Sequence, residues 1–255
     1  MLRLSLLLFL NVPLLASSDS AVLVLRKMHE TYAGKWYKTL RFTQETNMYM
    51  NDSLTKSERW IESIEFPDKF RIDFNAADGE DLVIFRNDSV YRMKDGKAKQ
   101  AYGHNFLLFQ LGGMYFYPFD TVKARFAREG YDLSRFRSDA LGGRPVYVIG
   151  AEGGDDSSKQ VWIDKEHLYI VRTLEYGPKG KDEARFEKHV RLNGGWCETK
   201  ITFWSGRHFR QEEFYLECLA GEPFDPRLFD PKRWKEWHWA TTPKKKNERK
   251  RSKSR

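Results

Sequence analysis

The sequence predicts an α+β fold, mostly antiparallel β. It would be one highly curved sheet of about eleven short strands, with two or three helices against its concave side. Three observations predict it. Apolar and polar residues alternate in short runs along most of the chain, as in Lys69–Phe74, where Phe70, Ile72 and Phe74 share one face and Lys69, Arg71 and Asp73 the other. Turn-forming residues separate these runs at hairpin spacing. Helical periodicity is confined to a few short stretches.

Taken in order, Met1–Leu15 places one basic residue, Arg3, before an apolar run that ends at small residues Ala16, Ser17 and Ser18. This is the layout of a secretory signal peptide, expected over residues 1–18. The run falls short of the ~20 residues a spanning helix needs. No cysteine lies near the expected cleavage site, so no lipid anchor is expected there. A single domain is expected over 19–240 and a basic disordered tail over 241–255.

Ser18, Asp19 and Ser20 are all suited to cap a helix, and Ala21, Leu25, Met28 and Tyr32 recur behind them at helical spacing before Gly34. Strands are expected at Arg41–Tyr49, Ser57–Glu65, Lys69–Phe74, Leu82–Arg86 and Asp88–Lys94, with Asp95-Gly96 as a hairpin turn. The apolar run Asn105–Leu111 then favours a short buried helix. Phe119, Val122 and Phe126 predict another over 119–129, with Asp120 as its cap and Gly130 as its stop. Six further strands are expected at Pro145–Ala151, Gln160–Asp164, Leu168–Glu175, Arg185–Arg191, Trp196–Trp204 and His208–Cys218. In the fifth of these, Cys197, Thr199, Ile201 and Phe203 alternate with Trp196, Glu198, Lys200 and Thr202.

Composition narrows the function classes. The 255 residues are 40% hydrophobic and 15% aromatic, enough for a substantial core. The net charge of +8 sits almost wholly in Lys244–Arg255, where eight basic residues face Glu248 alone. The body is near neutral and offers no basic groove, so no nucleic-acid partner is expected. The tail is read as a solvated segment, or as a transient contact with anionic lipid headgroups. Cys197 and Cys218 fall on consecutive expected strands. A bridge between them is left open, and simple register places Cys197 nearer Tyr215. Asn51-Asp52-Ser53 and Asn87-Asp88-Ser89 match the short glycosylation pattern, which carries little weight alone.

The six histidines, His29, His104, His167, His189, His208 and His238, form no metal-ligand spacing, and no GxSxG elbow is present. Gly177–Asp182 has no Ser or Thr after its lysine and reads as a hairpin turn rather than a phosphate loop. Asp155-Asp156 and Glu212-Glu213 read as solvated groups. The expectation is a protein that is not an enzyme, with no cofactor and no metal.

A curved sheet must bury its inner face, and if the cover is partial and removable that face becomes an apolar pocket. The helices at 21–33, 105–111 and 119–129 either complete the core or form a lid over a hollow. Motif order points to the second. Phe42-Thr43-Gln44, Trp60, the Pro67-x-x-Phe70-Arg71 pattern, the Asp95-Gly96 hairpin and the apolar Asn105–Leu111 together resemble the LolA/LolB-like superfamily, in particular outer-membrane lipoprotein-sorting (lipoprotein carrier) proteins. The likeness runs from about Ala21 to Leu111 and weakens towards Pro231.

The resemblance implies an incomplete, half-open β-barrel with a helical lid, working in the periplasm as a monomer. Its cavity would shield lipoprotein acyl chains or another lipid between membrane donor and acceptor proteins. The residues expected to wall the cavity are Trp60, Phe70, Ile72, Phe74, Ile84, Phe106, Leu107, Leu108, Phe109 and Leu111. An anchor of about forty CH₂ groups faces a penalty of order 30 kcal/mol in water, at ~0.8 kcal/mol each. Relatives on this fold also act as envelope lipid sensors or protein-interaction modules, which is the alternative role. One departure stands out. The best-known carriers have an arginine before the proline that helps hold the lid shut, and Phe66 stands there in this chain.

Overall fold

The computed structural model describes residues 20–74, 81–155, 157–177 and 180–236. The expected signal peptide, the basic tail and His238 lie outside the described residues. Helix α1 spans Ala21–Tyr32 and α2 Phe106–Gln110; α3 spans Phe119–Arg128. The strands are β1 (Thr39–Met50), β2 (Ser53–Glu65), β3 (Lys69–Asp73), β4 (Leu82–Arg86), β5 (Ser89–Lys94) and β6 (Lys97–Tyr102), then β7 (Phe136–Leu141), β8 (Arg144–Ile149), β9 (Gln160–Asp164) and β10 (Ile170–Gly177). They continue as β11 (Gly180–Glu187), β12 (Val190–Leu192), β13 (Gly195–Cys197), β14 (Lys200–Ser205) and β15 (His208–Ala220).

Among the described residues, thirteen strands form one antiparallel sheet in the order β6-β5-β4-β3-β2-β1-β15-β14-β11-β10-β9-β8-β7, and β12-β13 form a separate ribbon. The ends of the sheet, β6 and β7, do not pair with each other, so the barrel stays open. The chain between these two edges is the helical segment carrying α2 and α3. Along the chain, the helical segment therefore connects the two open edges.

The expectation of an α+β half-open barrel holds, but the sheet has thirteen strands rather than about eleven. The two unforeseen strands, Lys97–Tyr102 and Phe136–Leu141, are its two edges. Every residue of Lys97–Tyr102 is exposed, so the strand has no apolar face to betray it. Lys97 and Lys99 on an open edge also discourage pairing with another chain. The expected strand Arg185–Arg191 divides between β11 and β12, and Trp196–Trp204 between β13 and β14.

Local signals explain the remaining elements. The Ser20 hydroxyl accepts the Leu23 amide at 3.3 Å, capping α1, whose face of Ala21, Val24, Leu25, Met28 and Tyr32 is buried. The Asn105 side chain caps α2 by accepting the Leu108 amide at 3.0 Å. Asp120 is not the cap of α3; Pro118 precedes the helix, and Asp120 lies in its first turn. There its charge still favours the helix N-terminus. Asn51-Asp52, Asn87-Asp88 and Asp95-Gly96 all have left-handed φ and close tight hairpins, as the twist of the strands requires.

The main core lies between the concave face and the helical cover. It joins Leu25 and Met28 of α1, Phe109 of α2 and Phe126 of α3 to Phe42, Ile163 and Phe186 of the sheet. Two smaller clusters lie apart from it. In one, Leu82, Ile84 and Met93 pack under Trp234 of the C-terminal segment.

Candidate functional site

A hollow of about 240 Å³ remains between the sheet and α2. The sheet contributes Leu40, Phe42, Trp60, Ile64, Phe70, Ile72, Ile201, Phe203 and Tyr215, and the helical segment covers it with Asn105, Leu107, Leu108 and Leu111. An adjoining hollow of about 580 Å³ shares Asn105, Leu107 and Phe203 with it and extends past Phe85, Phe106 and Gln110. Together they fall in the range of ligand-sized pockets. The strand register builds the wall, because Leu40, Phe42 and Gln44 stand opposite Ile64, Glu62 and Trp60 respectively.

Six of the ten residues anticipated as cavity wall line the first hollow: Trp60, Phe70, Ile72, Leu107, Leu108 and Leu111. Phe106 lines the adjoining one. Phe109 instead borders a smaller recess on the far side of α2, with Arg125 stacked 5.2 Å above its ring. Phe74 packs edge-on against Trp60 at 4.8 Å, beyond the end of β3. Ile84 does not face the hollow; it is wholly buried in the cluster under Trp234. It stands opposite Arg71, so it shares that residue's face, while Phe85 opposite Phe70 packs against the main core.

The alternation in Lys69–Phe74 puts Arg71 on the polar face of its strand. Arg71 is fully buried, with its Nη2 at 2.6 Å from Asp73 Oδ1 and its Nη1 donating to the Leu228 carbonyl at 3.1 Å. The turn Pro226–Phe229 lies over β3 and β4 on that side and makes it an interior.

Three carboxyls in the cavity wall were not foreseen. Glu62, Glu198 and Glu213 all line the hollow and are buried, at 6, 8 and 7% exposure. Glu213 had been read as solvated, but β15 turns it inward opposite Ile201. Glu198 had been placed on the face opposite Ile201 and Phe203. The break between β13 and β14 resets the alternation and brings it to the same hollow. The signal for Glu62 was present in the sequence: it is the middle residue of Trp60-x-Glu62-x-Ile64, a carboxylate on an apolar stripe.

Burial raises the Glu62 carboxyl well above the usual carboxylate range, and Glu213 and Glu198 raise it further. Burial pushes Glu198 up to about 8. Glu213 is raised to about 7 by burial, against the lowering effect of hydrogen bonds from Gln211 and Gln44. The Gln211 amide donates to Glu213 Oε1 at 2.6 Å. Three like charges cannot be sustained in such a site, and burial favours the protonated carboxyls instead.

Cys197 and Cys218 lie close by, with their sulfurs 3.8 Å apart and unbridged. Cys197 is thus nearer Cys218 than simple hairpin register suggested, because β15 carries a bulge opposite Phe203/Trp204.

Solved structures share this architecture. A structure described as an outer-membrane lipoprotein-sorting protein domain from Vibrio parahaemolyticus superposes with a TM-score of 0.60 at 12% identity, covering 84% of this chain and 97% of that one. A DUF1329 family protein from Desulfovibrio piger gives 0.59 at 12% identity, over 82% and 95%. A LolA superfamily protein from Nitrosomonas europaea gives 0.56 at 12% identity, over 83% and 98%. The chain has the LolA-like fold. No protein-family model matches the sequence, and no curated protein matches it.

Within this LolA-like fold, Phe66 before Pro67 makes an apolar contact with the helical segment. Its ring stacks on Phe116 at 5.8 Å and lies 5.9 Å from Tyr37. The segment passes so close that a Cβ on Gly112 would meet the Phe66 ring and Trp36 Nε1 at 2.6 Å. Only glycine fits there.

Proposed function

We propose that this protein is a lipid-binding carrier that shields acyl chains of lipoproteins, or of another lipid, in the cavity under α2. The observation that carries the reading is the apolar hollow itself, left between a concave β-wall and a short helix in an unclosed barrel. Natural cores pack with few voids larger than a water molecule, so a hollow of this size lined by Phe, Leu and Ile calls for an occupant. The wall has the adaptable apolar character that a carrier needs in order both to hold and to release hydrocarbon. Support also comes from the sequence layout: a signal peptide over 1–18 fits export to the periplasm, and the near-neutral body fits a cargo other than nucleic acid. In this reading residues 19–240 are the carrier domain, working as a monomer between membrane donor and acceptor proteins. The tail over 241–255 touches anionic membranes transiently.

The test is extraction of the purified protein with organic solvent followed by mass spectrometry, together with titration of a fluorescent acyl probe. Co-purified lipid and saturable probe uptake are expected. No extractable lipid together with no probe uptake overturns the reading.

A further inference from the structure

The carrier reading says nothing about the polar end of the ligand, and the cavity has a strongly biased chemistry there. Glu62, Glu198 and Glu213 come from three separate parts of the chain, and each lines the same hollow. Among the described residues, no lysine, arginine or histidine forms an ion pair with any of the three. A second observation stands apart from the carboxyls. Gln44 is completely buried; it does not itself border the hollow but stands between Trp60 and Tyr215, which do, and its side chain hydrogen-bonds to Glu213. Its amide nitrogen donates to Thr46 Oγ1 at 2.9 Å, while its carbonyl oxygen has no partner. A buried acceptor left unmatched costs about 1–3 kcal/mol. Such groups persist where a ligand satisfies them.

These groups share one deficiency, a lack of positive charge, and the Gln44 carbonyl also lacks a donor. A protonated primary amine supplies both, with three donors on one compact cation. We propose that the cavity binds an amphiphile whose head is a protonated amine, with the ammonium held among Glu62, Glu198, Glu213 and the Gln44 carbonyl and the hydrocarbon against the Phe70–Leu108 wall. The proposal rests on the carrier reading and specifies the head of its ligand. An anionic head would meet like charge or demand that all three carboxyls stay protonated. A neutral hydroxyl head can donate to the Gln44 carbonyl but brings no positive charge to the carboxyls.

Binding couples to protons. Without a cation, burial keeps Glu62 and Glu198 protonated near neutral pH and Glu213, raised to about 7, partly so. An ammonium beside them stabilises the carboxylate, so its entry expels protons. The other titratable groups facing the trio are Tyr37, Tyr215, Cys197 and Cys218, all on the sheet side, and Tyr115, Tyr169 and His189, across a small recess that Glu198 also lines. The tyrosines are raised by burial and His189 is lowered to about 4, so the tyrosines and His189 stay neutral over the physiological range. The covering helix contributes Asn105, Leu107, Leu108 and Leu111, none of them charged.

The test compares dodecylamine, 1-dodecanol and dodecanoic acid, each below its micellar concentration, by isothermal titration of the full chain at neutral pH in buffers of different ionisation enthalpy. The amine should bind at least about tenfold more tightly than the alcohol, with proton release seen only for the amine. In the Glu62→Gln/Glu213→Gln variant the preference of amine over alcohol should fall to within about threefold, with a cooperative thermal melt showing that the variant is folded. Glu198→Gln alone should lower both the preference and the proton release. If wild type binds dodecanol and the amine equally, this inference fails and the carrier reading survives. If no dodecyl compound binds, both fail. A preference that persists undiminished in the double variant overturns the assignment to these carboxyls.

Discussion

The two faces of the sheet at β2 and β3 bury charge in opposite ways. On one face Arg71 and Asp73 are wholly enclosed beneath the Pro226–Phe229 turn, but they neutralise each other, and the Leu228 carbonyl takes a further guanidinium hydrogen. On the other face Glu62, one strand over and opposite Ile72, is nearly as buried and faces two more carboxyls with no cation. The first arrangement is finished and belongs to the scaffold. The second is compensated by protons alone and is poised for something that brings positive charge. Burial is common to both, so burial alone does not mark a site. The absence of compensation does.

The largest effect should come from breaking the finished pair. Arg71→Ala leaves Asp73 buried without its partner and should cost about 3–5 kcal/mol. Glu62→Gln replaces a protonated carboxyl with a neutral isostere and should change stability by less than about 1 kcal/mol. Urea melts of the two variants side by side check the contrast. Comparable destabilisation by both would mean that Glu62 is as structural as Arg71.

Next in size are the apolar residues flanking the two charges. Ile84→Ala opens a void in the closed cluster under Trp234 and should cost about 2–5 kcal/mol, with acyl-probe affinity unchanged. Phe70→Ala and Trp60→Ala remove part of the cavity wall and should weaken probe binding. Unchanged affinity with a large stability loss would make Phe70 and Trp60 ordinary core residues. Thermal melts combined with probe titrations separate the two outcomes.

The same contrast shows what could be read from the chain. Alternation in β3 correctly grouped Phe70 with Ile72 and Arg71 with Asp73, because period two is a local property of extended backbone. It could not show that the Arg71 face is also an interior, since the cover comes from Pro226–Phe229, more than a hundred residues away. For the same reason Ile84 was assigned to the wrong side: an apolar residue implies burial but not which layer does the burying. The edge strands were illegible because edges have no buried face to enforce a pattern. Glu198 was misplaced by a break in the strand that shifts the alternation, which spacing alone does not reveal.

The smallest effect distinguishes the faces by pH. Glu198 in the folded protein is raised to about 8 from an ordinary value of 4.5. Between those values the folded state holds a proton that the unfolded chain has lost, so stability falls as pH rises and levels off above about 8. His189, lowered to about 4 from 6.5, acts in the opposite sense below 6.5, because the unfolded chain binds its proton there and the folded protein does not. The clean window is therefore pH 6.5 to 8. Across it Glu198 alone should remove of order 2 kcal/mol. Glu213, raised to about 7, adds to the slope in the lower part of the window, and Glu62, also raised by burial, acts in the same sense. Glu198→Gln should flatten the profile, and so should saturating dodecylamine, which favours the ionised carboxylate in the folded state. Arg71→Lys should leave the slope untouched, because its partner Asp73 lies on the other face. A profile equally steep in wild type, in Glu198→Gln and in the Glu62→Gln/Glu213→Gln variant would place the titrating group elsewhere and remove the distinction between the two faces.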